Sequence, residues 1–334
     1  MKKQLHIPQT TERQTNITRS AGLLALVVGL TLGGLYPTNA EPIIYATGEI
    51  GSRFLRIDVG TGEVTTIGRL GVANAPGLAF SPEGTAYTVA ESGGGFSGAK
   101  PRLGSIDLAT GKATTNGPII PKFMALAFSP QGVLYAVNET SDVDGKGKGA
   151  LYTIDPANGQ ATKVGINGGV GDIMDLAFHP DGTLYGIDGA TLYRVDVSTG
   201  KRTLVKALRG LQNSMGLVID RDGTFYASDH VPFSPIVRID ITTGQTTPVV
   251  KTTINYLHGL DMLPPPKLKI ARQSSQMVLS WPAWATGYAL QVTDSAGSGV
   301  RWEDTGMVPV ISGDQNVLTN RFDAAQQFLR LIRR

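Results

Sequence analysis

A unit of about forty residues returns along most of this sequence, and that period restricts the folds open to the chain. Its best copy, Leu151–Asp188, contains two pairs of apolar or β-branched segments, and a glycine-containing turn joins each pair. Glycine accepts the positive φ that such turns require. Two hairpins per unit are typical of a β-propeller blade. The unit therefore predicts four short strands, at Leu151–Asp155, Gln160–Gly165, Met174–Phe178 and Thr183–Asp188.

The copies of two hairpins set the expected number of blades. The first hairpin carries an Ile/Val-Asp…Gly turn, with the aspartates Asp58, Asp107, Asp155, Asp196 and Asp240. The second turns at Glu83-Gly84, Gln131-Gly132, Asp181-Gly182 and Asp222-Gly223. A fifth copy starts at His258 and stops at three prolines, whereas Ile43–Ala46 matches a second strand that has no first strand. We therefore expect an all-β, five-bladed propeller whose last blade takes strands from both ends, which leaves no exposed edge. Six blades are the alternative.

Repetition also separates architecture from function. Because the turn aspartates recur in every copy, we expect their carboxylates to bind turn amides. The tyrosines that recur in the second strands are expected to pack between blades; they are Tyr45, Tyr87, Tyr135, Tyr185 and Tyr226.

The first forty residues have the features of a secretory signal. Four Lys/Arg residues precede the apolar stretch 21–35, which is short for a membrane span, and Thr38-Asn39-Ala40 offers small residues for cleavage. We predict a signal peptide at 1–40, a propeller at 41–264, and a secreted, periplasmic or cell-envelope protein without a transmembrane span after cleavage. An uncleaved anchor is the alternative.

Charge and cysteine content exclude several classes of partner. Four of the 30 Lys/Arg residues and one of the 27 Asp/Glu residues lie in 1–40, so the remaining chain carries 26 of each sign. A neutral chain without a basic cluster has no electrostatic basis for binding nucleic acid. Since there is no cysteine, disulfides and thiolate metal sites are excluded. We expect no cofactor, with a divalent cation left open.

A different pattern begins after Pro264–Pro266 and extends over residues 265–334. Alternating segments predict strands at 277–282, 288–292, 300–302 and 328–331, with Trp281 and Trp302 in or near a core. The stretches Leu-Ser-Trp-Pro (279–282) and Gly-Tyr-Ala-Leu-Gln (287–291) resemble fibronectin type III-like modules. The resemblance implies a small C-terminal β-sandwich.

Strand direction places the tight hairpin turns on one face of the propeller and the connections of variable length on the other. The variable connections include 91–102, 138–149, 189–191 and 229–235. Loops that vary on a rigid scaffold usually carry binding. We therefore predict a site for a protein, glycan or small-molecule ligand on that second face, lined by Glu91, Glu139, Asp175, Asp188, Asp229, His230 and His258.

The blade sequences are similar to those of NHL-repeat proteins and the regucalcin/gluconolactonase group. The likeness lies in Gly-Leu-Ala-Phe-Ser-Pro-Glu-Gly (77–84) and Leu-Ala-Phe-His-Pro-Asp-Gly-Thr-Leu-Tyr (176–185). Lactonases of that group usually have six blades and bind a divalent ion through Asn or Asp directly before Gly-Leu or Gly-Met of certain inner strands. The matching positions here hold neither residue type; they are Pro76, Met124, Met174, Met215 and His258.

Two functions from different classes follow. The first is a non-enzymatic binding or scaffold protein, which we favour because no nucleophile and base stand out as a pair. The alternative is a metal-dependent, lactonase-like hydrolase whose site at the channel mouth uses Asp175, Asp188, Asp229 and His258.

Overall fold

The computed structural model describes residues 41–49, 51–92, 100–138, 149–165, 170, 172–273, 276–295, 297, 299–320 and 327–333. The predicted signal segment, 1–40, lies outside the described residues. The described part of the chain consists of strands and connections and contains no helix, which confirms the all-β prediction. Accordingly, no helix long and apolar enough to cross a membrane is found within those residues.

Twenty strands lie between residues 43 and 261. They are β1 (Ile43–Gly48), β2 (Arg53–Asp58), β3 (Val64–Arg69), β4 (Ala79–Phe80), β5 (Ala86–Ser92), β6 (Lys100–Ile106), β7 (Ala113–Thr115), β8 (Phe123–Phe128), β9 (Leu134–Asn138), β10 (Leu151–Ile154), β11 (Ala161–Val164), β12 (Asp175–Phe178), β13 (Leu184–Asp188), β14 (Thr191–Val195), β15 (Arg202–Ala207), β16 (Ser214–Ile219), β17 (Phe225–Asp229), β18 (Ile236–Ile239), β19 (Thr246–Val250) and β20 (His258–Asp261). The four strands predicted in the best repeat copy correspond to β10–β13, within one residue at each end.

These strands form antiparallel sheets of four. Four of the sheets use consecutive strands, namely β4–β7, β8–β11, β12–β15 and β16–β19. A further sheet has the order β20-β1-β2-β3, because β20 pairs with β1 through Tyr45 opposite Asp261 and Ala46 opposite Leu260. The sheet therefore joins the two ends of this region.

The first strands of neighbouring sheets contact one another in a closed sequence. β4 contacts β8, β8 contacts β12, β12 contacts β16, β16 contacts β20, and β20 contacts β4. We call these five strands the central ring. Four-stranded antiparallel sheets arranged around a common centre are the architecture of a β-propeller.

Aromatic pairs fasten each sheet to the next, as the recurring tyrosines predicted. The ring centroids of Tyr45 and Phe80 lie 5.2 Å apart, and those of Tyr185 and Phe225 lie 5.0 Å apart, both edge-on. Tyr87 and Tyr135 contact Phe128 and Phe178 with centroids 5.5 and 5.6 Å apart and with tilted rings. Tyr226 packs in a cluster with residues of β1 and β2. Such pairs add about 1 kcal/mol each beyond the buried area.

The recurring aspartates stabilise their own turns, which confirms the expectation that their carboxylates bind turn amides. Asp196 Oδ1 accepts hydrogen bonds from the amides of Ser198 and Thr199, at 2.8 and 3.1 Å. The other four accept from turn amides in the same way; they are Asp58, Asp107, Asp155 and Asp240. The glycine that ends each turn has positive φ, for example 75° at Gly62.

The C-terminal region forms two further sheets. Its strands are β21 (Lys269–Gln273), β22 (Gln276–Pro282), β23 (Tyr288–Thr293), β24 (Glu303–Asp304), β25 (Val310–Ser312), β26 (Gln315–Asn320) and β27 (Phe328–Arg333). The sheet orders are β21-β22-β26-β25 and β24-β23-β27. Leu279 and Trp281 of the first sheet share a buried cluster with Leu290 of the second. Sequence analysis missed β21, β25 and β26.

The predicted strand at 300–302 is wrong. The nearest strand is β24, which begins one residue later, at Glu303. Trp302 is half-buried, and the guanidinium of Arg330 lies 4.3 Å from the centre of its ring. A cation over an indole face is a favourable contact at the edge of a sheet, so Trp302 belongs to the margin of the core rather than to its centre.

Trp284 brings the C-terminal region against the tight hairpin turns. It lies in the connection between β22 and β23, and a Cβ added at Gly84 would collide with its indole ring. Gly84 has a φ of 88° and ends the turn between β4 and β5. The C-terminal region therefore contacts the face that carries the tight turns.

Candidate functional site

The connections from second to third strands and from one sheet to the next share one face, which we call the loop face; the opposite face is the turn face. Bridges and hydrogen bonds tie neighbouring connections together. Ala73 pairs with Glu91, and Gly189 pairs with Ser214. The Glu49 amide donates to Asn255 O at 3.0 Å. The loop face is therefore a linked surface rather than a set of independent loops.

Backbone strain in the described chain is confined to this loop face. Non-glycine residues with positive φ are Glu49 (51°), Asn74 (45°), Phe233 (56°) and Tyr256 (54°). Each lies in a loop-face connection. A side chain held in the left-handed region costs about 1–3 kcal/mol and persists only where the surroundings fix it.

Hydrogen bonds of Asn255 and its neighbour Tyr256 hold three of the loop-face connections together. Its carbonyl accepts from Glu49, and its Oδ1 accepts from the Phe233 amide at 3.0 Å. The next residue, Tyr256, donates its amide to Val231 O at 3.2 Å. The connections β1–β2, β17–β18 and β19–β20 are thus held together around one asparagine.

Two histidines and a tyrosine meet beside this contact, and we call them the histidine cluster. His230 directly follows β17, His258 begins β20, and Tyr256 lies two residues before His258. The rings of His230 and His258 stand edge to face with centroids 4.7 Å apart. The rings of His230 and Tyr256 are 4.8 Å apart. His258 is 5% exposed, while His230 and Tyr256 are half-buried.

The histidine cluster contains polar atoms that have no hydrogen-bond partner. Both ring nitrogens of His258 and Nδ1 of His230 are buried and unpaired; outside the cluster, Oγ of Ser228 on β17 is in the same state. Among the described residues before the C-terminal region, no other buried side-chain nitrogen or oxygen lacks a hydrogen-bond partner. Leaving a buried polar atom unpaired costs about 1–3 kcal/mol, and proteins rarely tolerate it. A ligand that pairs with these atoms would recover that energy.

Burial keeps both imidazoles neutral. Desolvation lowers the pKa of His258 to about 3, and the charges of His230 and Lys122 contribute in the same direction. Desolvation also lowers the pKa of His230, although the neighbouring Asp229 carboxylate opposes the shift. A neutral imidazole offers one N–H donor and one nitrogen acceptor. The cluster can therefore both donate to and accept from a polar ligand.

The structure brings together only part of the predicted ligand set. His230 and His258 are in contact, and Asp229 is adjacent to His230. Asp229 accepts the amides of Gln212 and Asn213 at 3.1 and 2.7 Å, so both of its oxygens hold the connection between β15 and β16.

Two further predicted residues are engaged by partners outside the histidine cluster. The Asp188 carboxylate lies 2.7 Å from the guanidinium of Arg202. Glu91 accepts from Asn74 Nδ2 at 2.9 Å. Glu139 lies outside the described residues. A group of three or more His, Asp or Glu residues suited to a metal is not found in the part of the chain that is described.

Asp175 lies at the centre of the ring, where it joins three strands. Its side chain is fully buried and accepts the amides of Leu176, Leu217 and Leu260 at 3.0, 2.8 and 3.1 Å, from β12, β16 and β20. Desolvation raises the pKa of this carboxyl well above its usual range, and the three hydrogen bonds oppose that shift. The carboxylate satisfies amides of inner-edge strands that face no further strand.

Asp261 plays a similar role, and sequence analysis did not single it out. Its Oδ2 accepts the Phe80 amide of β4 at 2.6 Å, and Oδ1 accepts the amide of Met262. Desolvation raises the pKa of Asp261 to about 7. The signal was present in the repeat, because the other copies have small apolar residues at this position: Ala79, Ala127, Ala177 and Val218.

Comparisons with known proteins give one family match and several structural likenesses. The Tachylectin family model matches residues 58–204. A symmetrical protein studied for its de novo evolutionary emergence is 21% identical, with 66% of this chain and 99% of that chain covered and a TM-score of 0.45. Nidogen from a nidogen/laminin complex is 13% identical, with 66% of this chain and 97% of that chain covered and a TM-score of 0.46. A gluconolactonase from Xanthomonas campestris is 14% identical, with 73% of this chain and 84% of that chain covered and a TM-score of 0.37.

None of the curated proteins matches the sequence. The structural likenesses have TM-scores below 0.5, so the class rests on the ring of four-stranded sheets and on the Tachylectin match. Together these define a β-propeller repeat protein.

Proposed function

We propose that this chain is an exported, five-bladed β-propeller that binds a glycan at the histidine cluster and performs no catalysis there. One observation carries the proposal: His230 and His258, whose rings are in contact on the loop face, have three buried ring nitrogens without a hydrogen-bond partner. A binding site is where a protein can retain such atoms, because the ligand completes their hydrogen bonds.

The surroundings of the histidine cluster favour a sugar. Phe233 is 65% exposed, although it is a large apolar residue, and the Tyr256 ring lies directly against His230. Sites for small ligands combine aromatic surface with a few fixed polar groups. A sugar ring has C–H surface to cover the aromatic rings and hydroxyls that can both donate to and accept from neutral imidazoles. The name of the Tachylectin family marks its members as lectins, which agrees with this reading.

The five-blade reading rests on the central ring. Each of its strands is the innermost strand of a four-stranded sheet, and the contacts between them return from β20 to β4. We interpret β20 as the strand that closes the last blade onto the N-terminal strands. The blade region then spans 41–264, and residues 265–334 form a fibronectin type III-like sandwich that supports the propeller from the turn face through Trp284.

The metal-dependent hydrolase is less favoured for a geometric reason. It needs Asp175, Asp188, Asp229 and His258 around one ion. The carboxylates of Asp175 and Asp229 are occupied by backbone amides, and that of Asp188 by Arg202. These carboxylates are therefore held by different partners in different parts of the propeller rather than turned towards one ion.

Glycan binding is tested with a glycan array followed by calorimetric titration of the best ligand. His258→Gln and His230→Gln should each weaken that ligand at least tenfold, because each removes an imidazole that the ligand pairs with. His179→Gln is the matched control, since His179 lies in a turn-face hairpin. An equal loss in the control, or no retained glycan on the array, would reject the proposal.

The hydrolase and export readings have their own measurements. Thermal unfolding with calcium, magnesium, manganese or zinc against a chelator should show no ion-specific rise; a rise that Asp188→Ala and Asp229→Ala abolish would favour the hydrolase. A ligand at a hundred times its dissociation constant adds about 2.7 kcal/mol, so such a rise would be visible. N-terminal sequencing of exported protein should begin at Glu41, and retention of residues 1–40 would indicate an anchor.

A further inference from the structure

Asn255, in the connection between β19 and β20, is hydrogen-bonded through both its main chain and its side chain. Its carbonyl accepts the Glu49 amide at 3.0 Å, and its Oδ1 accepts the Phe233 amide at 3.0 Å. The N–H of the same peptide unit belongs to Tyr256 and donates to Val231 O at 3.2 Å. Because a peptide unit is planar, bonds at both of its ends fix its orientation. One residue is therefore tied to two other connections.

The backbone strain of the loop face gathers around Asn255. The described chain has four non-glycine residues with positive φ, and three of them have their amides held by the hydrogen bonds just given, namely Glu49 (51°), Phe233 (56°) and Tyr256 (54°). The fourth, Asn74, lies in the connection between β3 and β4. A side chain stays in the left-handed region only where its surroundings hold it there. The bonds around Asn255 are such surroundings.

The two connections that meet here stay joined without the side chain of Asn255. Thr252 Oγ1 donates to Ser234 O at 2.7 Å, and the Leu257 amide donates to Ser234 Oγ at 3.0 Å. Ser234 is fully buried, so these bonds form a framework beneath the surface. The bond from Asn255 Oδ1 has a narrower effect, because it restrains the amide of Phe233 alone.

On the basis of the proposed glycan site, we infer that Asn255 is a positioning residue of that site. Its Oδ1 keeps Phe233 in the left-handed conformation and so holds a ring that is 65% exposed on the connection that begins at His230. A ring that is fixed before the ligand arrives costs less conformational entropy on binding than one that the ligand must order.

Loss of this bond should change affinity more than stability. Without Oδ1, the amide of Phe233 can bond to water and its φ can return to negative values, so the relief of strain offsets the lost hydrogen bond. Only molecules that still hold the left-handed conformation bind fully. If about one molecule in ten does so, the affinity falls about tenfold.

The test is a double-mutant cycle, measured by calorimetric titration of the full protein with the best glycan from the array. Asn255→Ala should weaken that glycan about tenfold in the parent. It should cause no further loss in the Phe233→Ala background, because a ring that is absent cannot be misplaced. Asn255→Asp keeps an oxygen acceptor and should restore the affinity. Additive losses, or no restoration by aspartate, would overturn the inference.

Two control variants separate positioning from general stability. Asn74→Ala is the same chemical change at the remaining strained residue and should leave the affinity unchanged. Thr252→Val removes a bond of the buried framework and should lower the unfolding midpoint without weakening the glycan. A loss of affinity in Thr252→Val equal to that in Asn255→Ala would show that binding follows stability, and would overturn the positioning role.

A measurement without ligand examines the backbone directly. The NMR coupling between the amide and Cα protons of Phe233 depends on its φ, so it should change in Asn255→Ala and persist in Asn255→Asp. An unchanged coupling would overturn the inference.

The outcomes also distinguish this inference from the proposal on which it rests. Glycan binding that His258→Gln weakens and Asn255→Ala does not would leave the glycan site standing and overturn the positioning role. Failure of every glycan on the array would remove the glycan site and this inference with it.

Discussion

The turn face and the centre of the ring both depend on aspartates, yet the two sets are in opposite electrostatic states. Hydrogen bonds from their own turns lower the pKa values of Asp107, Asp196 and Asp240 at the turn face. Desolvation raises the pKa values of Asp175 and Asp261 at the ring centre. One residue type therefore performs two tasks, and its surroundings determine which.

The difference between the two sets follows their place in the repeat. The turn aspartates occur in every copy and bind amides two or three residues away. Asp175 and Asp261 each occur in one copy, and both bind amides of other sheets. His258 is also a departure from the repeat, because the matching positions are Pro76 and three methionines. Repeated positions build each sheet, and departures join the sheets and form the candidate site.

The largest difference in the free energy of unfolding should appear when one aspartate at the ring centre and one at the turn face are each replaced by alanine. Asp175→Ala leaves three buried amides without an acceptor and should lower the free energy of unfolding by about 4 kcal/mol. Asp107→Ala, whose amides can turn to water, should cost far less. Urea unfolding of both variants measures the contrast, and equal losses would show that the ring centre has no special role.

The pH dependence of stability should have opposite signs at the two places. The folded pKa of Asp261 is raised to about 7, so its contribution is complete below about pH 4 and is lost as pH rises to 7. The pKa values of Asp196 and Asp240 are lowered, so their contribution is present above about pH 4 and is lost on acidification. Asp261→Asn keeps an acceptor for the Phe80 amide and should reduce the decline between pH 4 and 7, to which Asp175 also contributes. Urea midpoints across that range provide the measurement, and parallel curves for variant and parent would contradict it.

A turn glycine provides a smaller effect that leaves binding untouched. Gly62 has a φ of 75°, and no atom lies within 4 Å of the place that a Cβ would occupy. Gly62→Ala should therefore cost about 1 kcal/mol from the left-handed backbone alone. Gly62→Asn should cost less, because asparagine tolerates that conformation. Thermal unfolding compares the two variants. Weaker glycan binding in either variant would contradict the expectation that changes at the turn face leave the loop-face site unaffected.

The smallest effect should be a gain in stability at the loop face. Phe233→Gly relieves a φ of 56° at a side chain that is mostly exposed, and we expect a gain of about 0.5 kcal/mol with weaker glycan binding. Phe233→Ala loses the same ring but keeps the backbone strain, so it should weaken binding without the gain. Urea unfolding and glycan titration of both variants test this, and unchanged binding would remove Phe233 from the site.

The sequence predicts the repeated features well because each is local. An Ile/Val-Asp…Gly turn contains its own hydrogen-bond donors. Three of the tyrosines pair with the phenylalanines that recur at the end of the first strands, namely Phe80, Phe128 and Phe178. The C-terminal strands β21, β25 and β26 were missed because that region has no repeat that could align them.

The candidate site was less accessible to sequence reasoning. Asp188 and Asp229 lie at equivalent places after second strands, but only the structure shows that Arg202 and two loop amides occupy their carboxylates. Tyr256 and Phe233 belong to connections that no other copy resembles. Their role depends on contacts made through Asn255 across two sheets, which spacing along one strand cannot reveal.

The pairing of β1 with β20 also has a consequence for the timing of synthesis. β1 leaves the ribosome before the other nineteen strands of the ring region, and its partner β20 leaves last. Contacts of such long sequence separation form slowly. His258, and the Leu260 amide that Asp175 requires, both arrive with that final strand. An unfinished chain therefore lacks the histidine cluster, and the candidate site is complete only after β20 has been synthesised.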